Sequence, residues 1–551
     1  MKLNRINFWN LFTLFAFAIL ILFVLYPLLS LFKFSFVSPT TGKLTLEGYY
    51  IFLKDSLYRS SMINSLLISA VVTVGSIVIG MTMAFLVARY EFPFKSLVKI
   101  LPLLTFVLPT VIVANSWILL MGRSGVLYQY ISDLGIKIPT IYGWGGIIFI
   151  LILQNYAYVF LMVSSAMGSI DASLEEAAKN LGSSPLRTYL TITFPVIAPS
   201  ILASGLVVFT LAMENFGIPI FLGEDVPVLS VVAYKEFMRE MGGDNQQMAS
   251  TLSIILLMLT TIVLIIQKRI VEKKIYHMTS RRAPQPKTLR PLYQFIILGI
   301  CLTIIVLSLS PVLITYFASF VKTRGPVMYF GEFSLQSYRT ILNMAPRAIY
   351  NSFFLASLAT LIGFIFATLV SYVLVRKKSK VSYVLDILAT FPLAVAGTVM
   401  GIGLISSFNK GWLVLTGGWG IMMLAYFIRK VPFSIRACSS VLYSIKFSIE
   451  EASISLGVPP FKTFFKIIMP LMASGMIAGA LLMWVTTLSE FSATIVLYSG
   501  EWSTMPIKIF HQVDSGDLGT ASAYGSILIT AILLPLLIVM KVFKIDVFSS
   551  K

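Results

Sequence analysis

The side chains best suited to chemistry are a few charged residues inside long apolar stretches. Glu214, which Asn215 follows, and Glu490 each stand towards the end of such a stretch, and Arg429 and Lys430 interrupt another. An ionisable residue at membrane depth costs about 2.5–3.5 kcal/mol on insertion scales, so it marks a functional site by default. We interpret these five residues as candidates for a gated pathway. The alternatives are snorkelling of the two glutamates to the lipid headgroups and ion pairing of the two cations.

The two kinds of charge are predicted at different depths. The segment from Pro195 to Glu214 and the segment from Pro470 to Glu490 are nearly equal in length. At about 1.5 Å per residue each segment spans about 30 Å along a helix, which places both glutamates near the outer mouth, where we expect them to face each other. Arg429 and Lys430 come near the middle of the helix that begins at Trp419. In the first half of the chain, Gln154 and Asn155 occupy the positions that match the two cations.

The sequence carries no recognisable enzyme motif. It has no GxxxxGK segment, the loop that cradles phosphate in many ATPases. Its histidines are His277 and His511 and its cysteines are Cys301 and Cys438, too few for a zinc site or a nucleophile with a base beside it. We therefore predict that the chain is not an enzyme and has no catalytic residue, no metal site and no cofactor of its own.

The composition indicates a membrane protein with many spans. Hydrophobic residues make up 57% of the 551 residues, charged residues make up 12%, and the mean hydropathy is +0.89. A soluble globular chain carries about 25% charged residues, so this chain cannot cover a water-facing surface. The net charge of +19 is typical of lysines and arginines that collect in cytoplasmic loops, and we expect the partner of the chain to be the lipid bilayer and not nucleic acid.

Stretches of about 20 apolar residues predict an all-α membrane protein with twelve transmembrane helices. The approximate bounds of the predicted spans are 11–32, 62–87, 100–121, 144–165, 196–222, 249–266, 292–320, 349–375, 384–405, 418–440, 471–497 and 523–540.

The twelve spans fall into two parallel six-helix units. The predicted units are 1–267 and 292–551, joined by a basic cytoplasmic connector over 268–291, and the distribution of lysine and arginine places both termini in the cytoplasm. Internal matches support a duplication, for example Arg89 with Arg376. Both units have the same polarity, so the duplication is parallel and not inverted.

Two cytoplasmic loops repeat one pattern, over 175–182 and 450–457, half the chain length apart. In the first loop, apolar positions at i, i+3, i+4 and i+7 predict one stripe on a short helix, namely Leu174, Ala177, Ala178 and Leu181. Gly182 is predicted to end that helix in the left-handed conformation. Two copies with the same internal spacing favour a docking element for a partner protein over a helix that rests on the membrane surface.

The pattern Glu-Ala-Ala, three residues, Gly and a later Pro resembles the EAA loop of inner-membrane permeases of binding-protein-dependent ABC importers, here as two fused permease units. The resemblance implies EAA loops over about 171–195 and 446–470, each docking one of two copies of a cytoplasmic ABC ATPase that binds the ATP. It also implies an extracytoplasmic solute-binding protein and the cytoplasmic membrane of a prokaryote. Ser453 stands where the first copy has Ala178, a change that should not disturb docking. The implied ATPase-coupling residues are Glu176, Ala177, Ala178, Gly182, Pro195, Glu451, Ala452, Gly457 and Pro470.

The solute is suggested by two further segments. Residues 211–219 and 488–494, which contain Glu214 and Glu490, resemble the fused permeases of ferric-ion importers, so ferric iron ranks first. Permeases for 2-aminoethylphosphonate and for polyamines have similar segments and are the alternatives. A secondary transporter with two parallel halves is the alternative class, and it should carry several ionisable residues at mid-membrane, of which this chain has few.

Overall fold

The structure is a computed structural model that describes residues 8–38, 41–240, 245–273, 286–325, 327–344 and 346–543. The two ends of the chain lie outside the described residues. So do residues 274–285, which hold Lys274, Arg281, Arg282 and Pro284 of the predicted connector.

Helices dominate both halves of the chain. Those of the first half are α1 (Phe8–Leu20), α2 (Tyr26–Ser35), α3 (Glu47–Lys54), α4 (Ser56–Arg89), α5 (Lys95–Val107), α6 (Thr110–Met121), α7 (Val126–Asp133), α8 (Trp144–Gly168), α9 (Ala172–Asn180), α10 (Pro185–Thr188), α11 (Phe194–Met213), α12 (Gly217–Leu222), α13 (Leu229–Glu240) and α14 (Gln246–Lys273). Those of the second half are α15 (Pro291–Ser319), α16 (Gln336–Met344), α17 (Pro346–Arg376), α18 (Lys380–Thr390), α19 (Gly397–Phe408), α20 (Trp419–Ser444), α21 (Phe447–Ser455), α22 (Pro460–Thr463), α23 (Met469–Leu471), α24 (Ala473–Leu488), α25 (Thr494–Leu497), α26 (Met505–Asp514) and α27 (Leu518–Phe543).

The few strands are short and lie outside the helical layers. β1 (Tyr90–Glu91) pairs in parallel with β2 (Lys287–Thr288), which ties the end of α4 to the chain just before α15. β3 (Val321–Arg324) and β4 (Val327–Phe333) form an antiparallel hairpin between α15 and α16.

Within the described residues, nine helices are long and apolar enough to cross a membrane, and two further pairs of helices bent by 110° and 72° raise the number to eleven. The remaining predicted span, 418–440, is helical in α20, but Arg429, Lys430 and Arg436 interrupt its apolar character. The all-α architecture is therefore confirmed, and the count of twelve spans is not.

Four predicted spans are wrong as continuous helices, and they are the same two spans of each half. The helices break at 108–109 within the predicted span 100–121, at 214–216 within 196–222, near 395–396 within 384–405, and at 489–493 within 471–497. Pro109 and Pro392 contribute to two of the breaks because proline cannot donate a helical hydrogen bond. Apolar periodicity does not reveal such breaks, since the residues on both sides are equally apolar.

Three five-residue π-helical turns have one cause in common. Each ends two residues before a proline, and a wider turn relieves the clash between the proline ring and the preceding helical turn. The three turns and their prolines are Ile21–Leu25 with Pro27, Tyr189–Thr193 with Pro195, and Phe464–Ile468 with Pro470. The prolines of both EAA loops thus shape the first turns of the helices that follow.

The first long helix of each half packs against the other half. The α1 helix contacts α17, where the Trp9 ring lies 4.2 Å from the Tyr372 ring, and α2 contacts α19. The α15 helix contacts α5, α6 and α8, and Ser116 Oγ donates to Pro311 O at 3.0 Å. The two predicted units are therefore interleaved and share one hydrophobic core.

This interleaving predicts that the two halves assemble without a covalent connection. If the chain is cut within 274–285 and the two pieces are co-expressed, we expect them to co-purify from detergent, because each buries its first helix in the other. A first piece that begins at residue 41, and so lacks α1 and α2, should associate more weakly but still co-purify, because α15 of the second piece keeps its contacts with α5, α6 and α8. Two pieces that are each stable and monodisperse alone, with no association, would contradict the prediction.

Candidate functional site

A cavity of about 200 Å³ lies between the two halves, where three of the four helix breaks meet. Non-helical backbone at membrane depth is tolerated only where it is buried in protein or lines a cavity. The lining residues are Leu108, Pro109, Thr110, Gln154, Asn155, Tyr158, Leu211, Glu214, Asn215, Phe216, Gly217, Arg429, Lys430, Thr486, Ser489, Glu490, Phe491 and Ser492. All five charged and polar residues predicted as pathway candidates are among them.

The carboxylate of Glu490 is the centre of the charged side of the cavity. Glu490 is 5% exposed, and its Oε1 accepts from Arg429 Nη1 at 2.5 Å while its Oε2 lies 2.6 Å from Lys430 Nζ. Oε1 also accepts the backbone N–H of Ala493 at 3.1 Å, just before α25 begins. One carboxylate therefore pairs with two cations and also accepts a backbone N–H at a helix break.

These contacts correct the predicted depths. Arg429 and Lys430 touch Glu490, so the cations and this glutamate lie at one level and not at two, as counting along the helices suggested. Counting along a straight helix overestimates the distance, because the chain bends by 72° near Met472 and the bend shortens the path from Pro470 to the break. Elsewhere on α20, Arg436 pairs with Asp386 of α18 at 3.0 Å.

Asn215 is the first-half counterpart of Glu490. Its Oδ1 accepts the N–H of Ile218 at 3.1 Å, the same contact three residues ahead that Glu490 makes with Ala493. Asn215 and Glu490 match at the same offset that relates the two EAA loops. In both halves a side-chain oxygen thus accepts the backbone N–H three residues ahead. The side chain is a neutral amide in the first half and a carboxylate in the second.

Glu214 and Gln154 present oxygen atoms that no donor satisfies. Within the described part of the chain, Glu214 forms no ion pair, and its Oε2 is buried without a hydrogen-bond partner. Gln154 Oε1 is buried without a partner as well, while its Nε2 donates to Leu108 O at 3.3 Å across the first break. These two acceptors lie on the first-half side of the cavity, opposite the cations of the second half.

An aromatic pair closes one side of the cavity. Phe216 and Phe491 follow Asn215 and Glu490 directly, are almost fully buried, and meet across the two halves with ring centroids 5.5 Å apart. Phe510 extends the cluster, with its ring 5.6 Å from that of Phe491. The pair was not predicted from the sequence, although the two rings match at the offset of the EAA loops, which is the signal that could have revealed it.

The EAA loops have the same backbone in both halves. Gly182 ends α9 with φ +80° and Gly457 ends α21 with φ +82°, so the predicted left-handed endings are confirmed. The next residue closes each turn: the N–H of Ser183 donates to Ala178 O at 3.0 Å and that of Val458 to Ser453 O at 3.2 Å.

The predicted apolar stripe divides into an outward and an inward part. Ala178 and Ser453 are buried against the body of the protein, and Ser453 Oγ lies 2.9 Å from Thr463 Oγ1, which links the two short helices of the second loop. The remaining stripe positions are exposed, and so is the second glutamate of each Glu-Glu pair. The exposed residues are Leu174, Glu176, Ala177 and Leu181 in the first loop and Ile449, Glu451, Ala452 and Leu456 in the second.

The first glutamate of each loop points inward and anchors the loop to a spanning helix. Glu175 pairs bidentately with the buried Arg89 at the end of α4, and Thr193 Oγ1 donates to Glu175 at 2.7 Å. In the second half, Glu450 Oε2 lies 3.5 Å from Nε of Arg376 at the end of α17. The sequence analysis matched both arginines and both glutamates in the repeat but did not pair them.

Comparison with known proteins reveals a family match and several relatives. The family described as the inner membrane component of binding-protein-dependent transport systems matches residues 76–276 and 359–544, together more than half of the chain. The ferric transport system permease protein FbpB of Actinobacillus pleuropneumoniae is 27% identical over 93% of this chain and 75% of its own length. A probable ABC transporter permease protein of Sinorhizobium fredii is 24% identical over 94% of this chain and 92% of its own length. A putative 2-aminoethylphosphonate transport system permease protein of Salmonella paratyphi A is 28% identical over 28% of this chain and 57% of its own length.

The buried anchor behind the first loop is open to a double-mutant test. Arg89→Gln or Glu175→Gln alone leaves one buried charge without its partner and should lower the free energy of unfolding by about 3–5 kcal/mol. The double variant leaves no buried charge, so we expect it to be more stable than the sum of the two single losses predicts. Thermal unfolding of the detergent-solubilised protein measures these differences, and strictly additive losses would contradict the ion pair.

Proposed function

Because the chain belongs to the family of inner-membrane components of binding-protein-dependent transport systems, we propose that it forms the solute pathway of an ATP-driven importer of ferric iron. The proposal of ferric iron as the solute rests on the match to a ferric transport permease over 93% of the chain. In this proposal the chain is multi-pass in the cytoplasmic membrane of a prokaryote, with both termini and both EAA loops in the cytoplasm. The ATPase activity belongs to separate subunits.

The cavity between the halves is the proposed part of the pathway. It combines charged and polar lining residues with the helix breaks that many transporters use for binding. The Phe216–Phe491 pair is the proposed closure on the side away from the EAA loops, since an apolar constriction gates by excluding water. Movement of the two halves apart would separate the rings.

The exposed faces of the EAA loops are the proposed docking surfaces for two ATPase copies, one under each half. Leu181 and Leu456 are 87% and 85% exposed, which is unusual for leucine at the end of a short helix and fits burial in a partner. Glu176 and Glu451 are exposed beside them and are suited to a basic side chain on the ATPase. An extracytoplasmic solute-binding protein would deliver the solute at the opposite side.

Import of 2-aminoethylphosphonate is the second candidate. The partial match to a permease for that solute supports it, and so do Arg429 and Lys430 in the cavity, since a phosphonate is an anion.

Disruption of the chain separates the two solutes. We expect uptake of ⁵⁵Fe supplied as ferric iron on the cognate binding protein to fall to background in cells that lack the permease and to return with the intact gene. Growth on 2-aminoethylphosphonate as sole phosphorus source should be unchanged. Normal iron uptake with loss of growth on phosphonate would replace ferric iron by the second candidate.

Docking is tested at the glycines that end α9 and α21. Gly182→Val or Gly457→Val forces a β-branched residue to positive φ, a strain of about 1–3 kcal/mol, and should misalign the docking face. We expect loss of uptake in reconstituted vesicles, with ATP hydrolysis weakened or uncoupled, and one substitution nearly as damaging as two. Gly135→Val is a matched control, because Gly135 has φ +78° with open space around it in a loop on the other side. Full coupled transport by both loop variants would argue against docking at these loops.

A further inference from the structure

The two carboxylates of the cavity differ in how many protein groups they contact. Glu490 is occupied by Arg429, Lys430 and a backbone N–H, so none of its oxygens is left for a solute. Glu214 comes from the other half, forms no ion pair among the described residues, and has a buried oxygen without a donor. Only one of the two acids is therefore arranged to meet something that is not part of the protein.

The formal charges of the cavity balance only when Glu214 is ionised. Two cations with one carboxylate leave one net positive charge on the second-half side, and an ionised Glu214 brings the cavity to neutrality. A cation entering such a site meets a carboxylate that forms no ion pair among the described residues, while Arg429 and Lys430 are paired with Glu490.

The unsatisfied atoms around Glu214 are oxygens. Gln154 Oε1, on the neighbouring α8, also lines the cavity and also lacks a donor. Carboxylate and amide oxygens are ligands for hard cations, and a group of only two binds such an ion weakly. Conduction needs a site that binds well enough for entry and weakly enough for release. The donor left without a partner on the opposite wall is Nε of Arg429, the atom that would favour an anion instead.

We propose that Glu214, with Gln154 beside it, is the transient contact for a hard, oxygen-seeking cation as it passes between the halves, and that Glu490 does not touch the solute. This inference rests on the proposed import of iron and makes the first half of the chain the solute-selecting side. The duplicated backbone thus carries a functional asymmetry, with cation contact in one half and charge neutralisation in the other.

The test uses the full chain with its ATPase and binding protein in vesicles, and ferric-loaded binding protein as the probe. Glu214→Gln should lower iron uptake at least tenfold, whereas Glu214→Asp should retain a measurable part of it. The double variant Glu214→Gln with Lys430→Gln restores the formal charge of the cavity but not the contact, so it should stay as low as Glu214→Gln. Recovery in the double variant would show that only net charge matters and would overturn the proposal, as would normal uptake by Glu214→Gln.

A measurement without transport separates this proposal from the proposed function. Tb³⁺, a hard trivalent cation, is titrated into the detergent-solubilised chain, and its luminescence reports binding. We expect one saturable component that Glu214→Gln removes and that Glu224→Gln, a change in an exposed glutamate paired with Arg123, leaves intact. Tb³⁺ binding that depends on Glu214 without iron uptake by the unaltered protein would reject iron import and keep the cation contact. Tb³⁺ binding unchanged by Glu214→Gln would reject the contact.

Discussion

The structure depends on satisfying polar groups where the membrane offers no water. The carboxylate of Glu490 meets this constraint twice, because it pairs with both Arg429 and Lys430 and also accepts the N–H of Ala493 at a helix break. An unpaired charge or a free backbone group would cost several kcal/mol at this depth. The break, the cations and the carboxylate of the second half therefore stabilise one another, and the cavity forms around them.

The two halves have similar backbone conformations at the breaks that line the cavity but different side chains there. Asn215 and Glu490 cap equivalent breaks, but Gln154 and Asn155 stand where the second half has Arg429 and Lys430. A neutral amide can perform the capping without a counter-ion, so the first half needs no buried cation. Among the described residues Glu214 is left without an ion pair, and the cavity has one acid on the first-half side and one acid with two cations on the other.

The ion pairs behind the EAA loops connect the proposed docking surface to the helices that line the cavity. Arg89 stands at the end of α4, which packs against α8 and α11, and these helices carry Gln154 and end beside Glu214. A buried, bidentate pair with Glu175 holds the loop and α4 as one unit. Displacement of the loop by a moving ATPase would therefore be passed to the helices that line the cavity, and the interleaved α1 and α15 would carry it between the halves.

The sequence alone determined the features that depend on local pattern. Apolar length predicted the helices, the constant offset between the two copies of the motif predicted two equivalent loops, and Gly182 and Gly457 take the left-handed conformation that their positions in the motif required. Only the tertiary structure decided the partners. The Arg89–Glu175 pair joins residues 86 apart in sequence and the Arg429–Glu490 pair residues 61 apart, and many other charges were equally possible partners on composition alone. It also decided that Glu175 faces inward and Glu176 outward, because which side of a short helix is buried depends on the body against which the helix rests. The tertiary structure also decided where the helices break. A break at membrane depth is stable only when groups from distant segments satisfy its unpaired backbone N–H and C=O groups, and the sequence of one segment does not identify those groups.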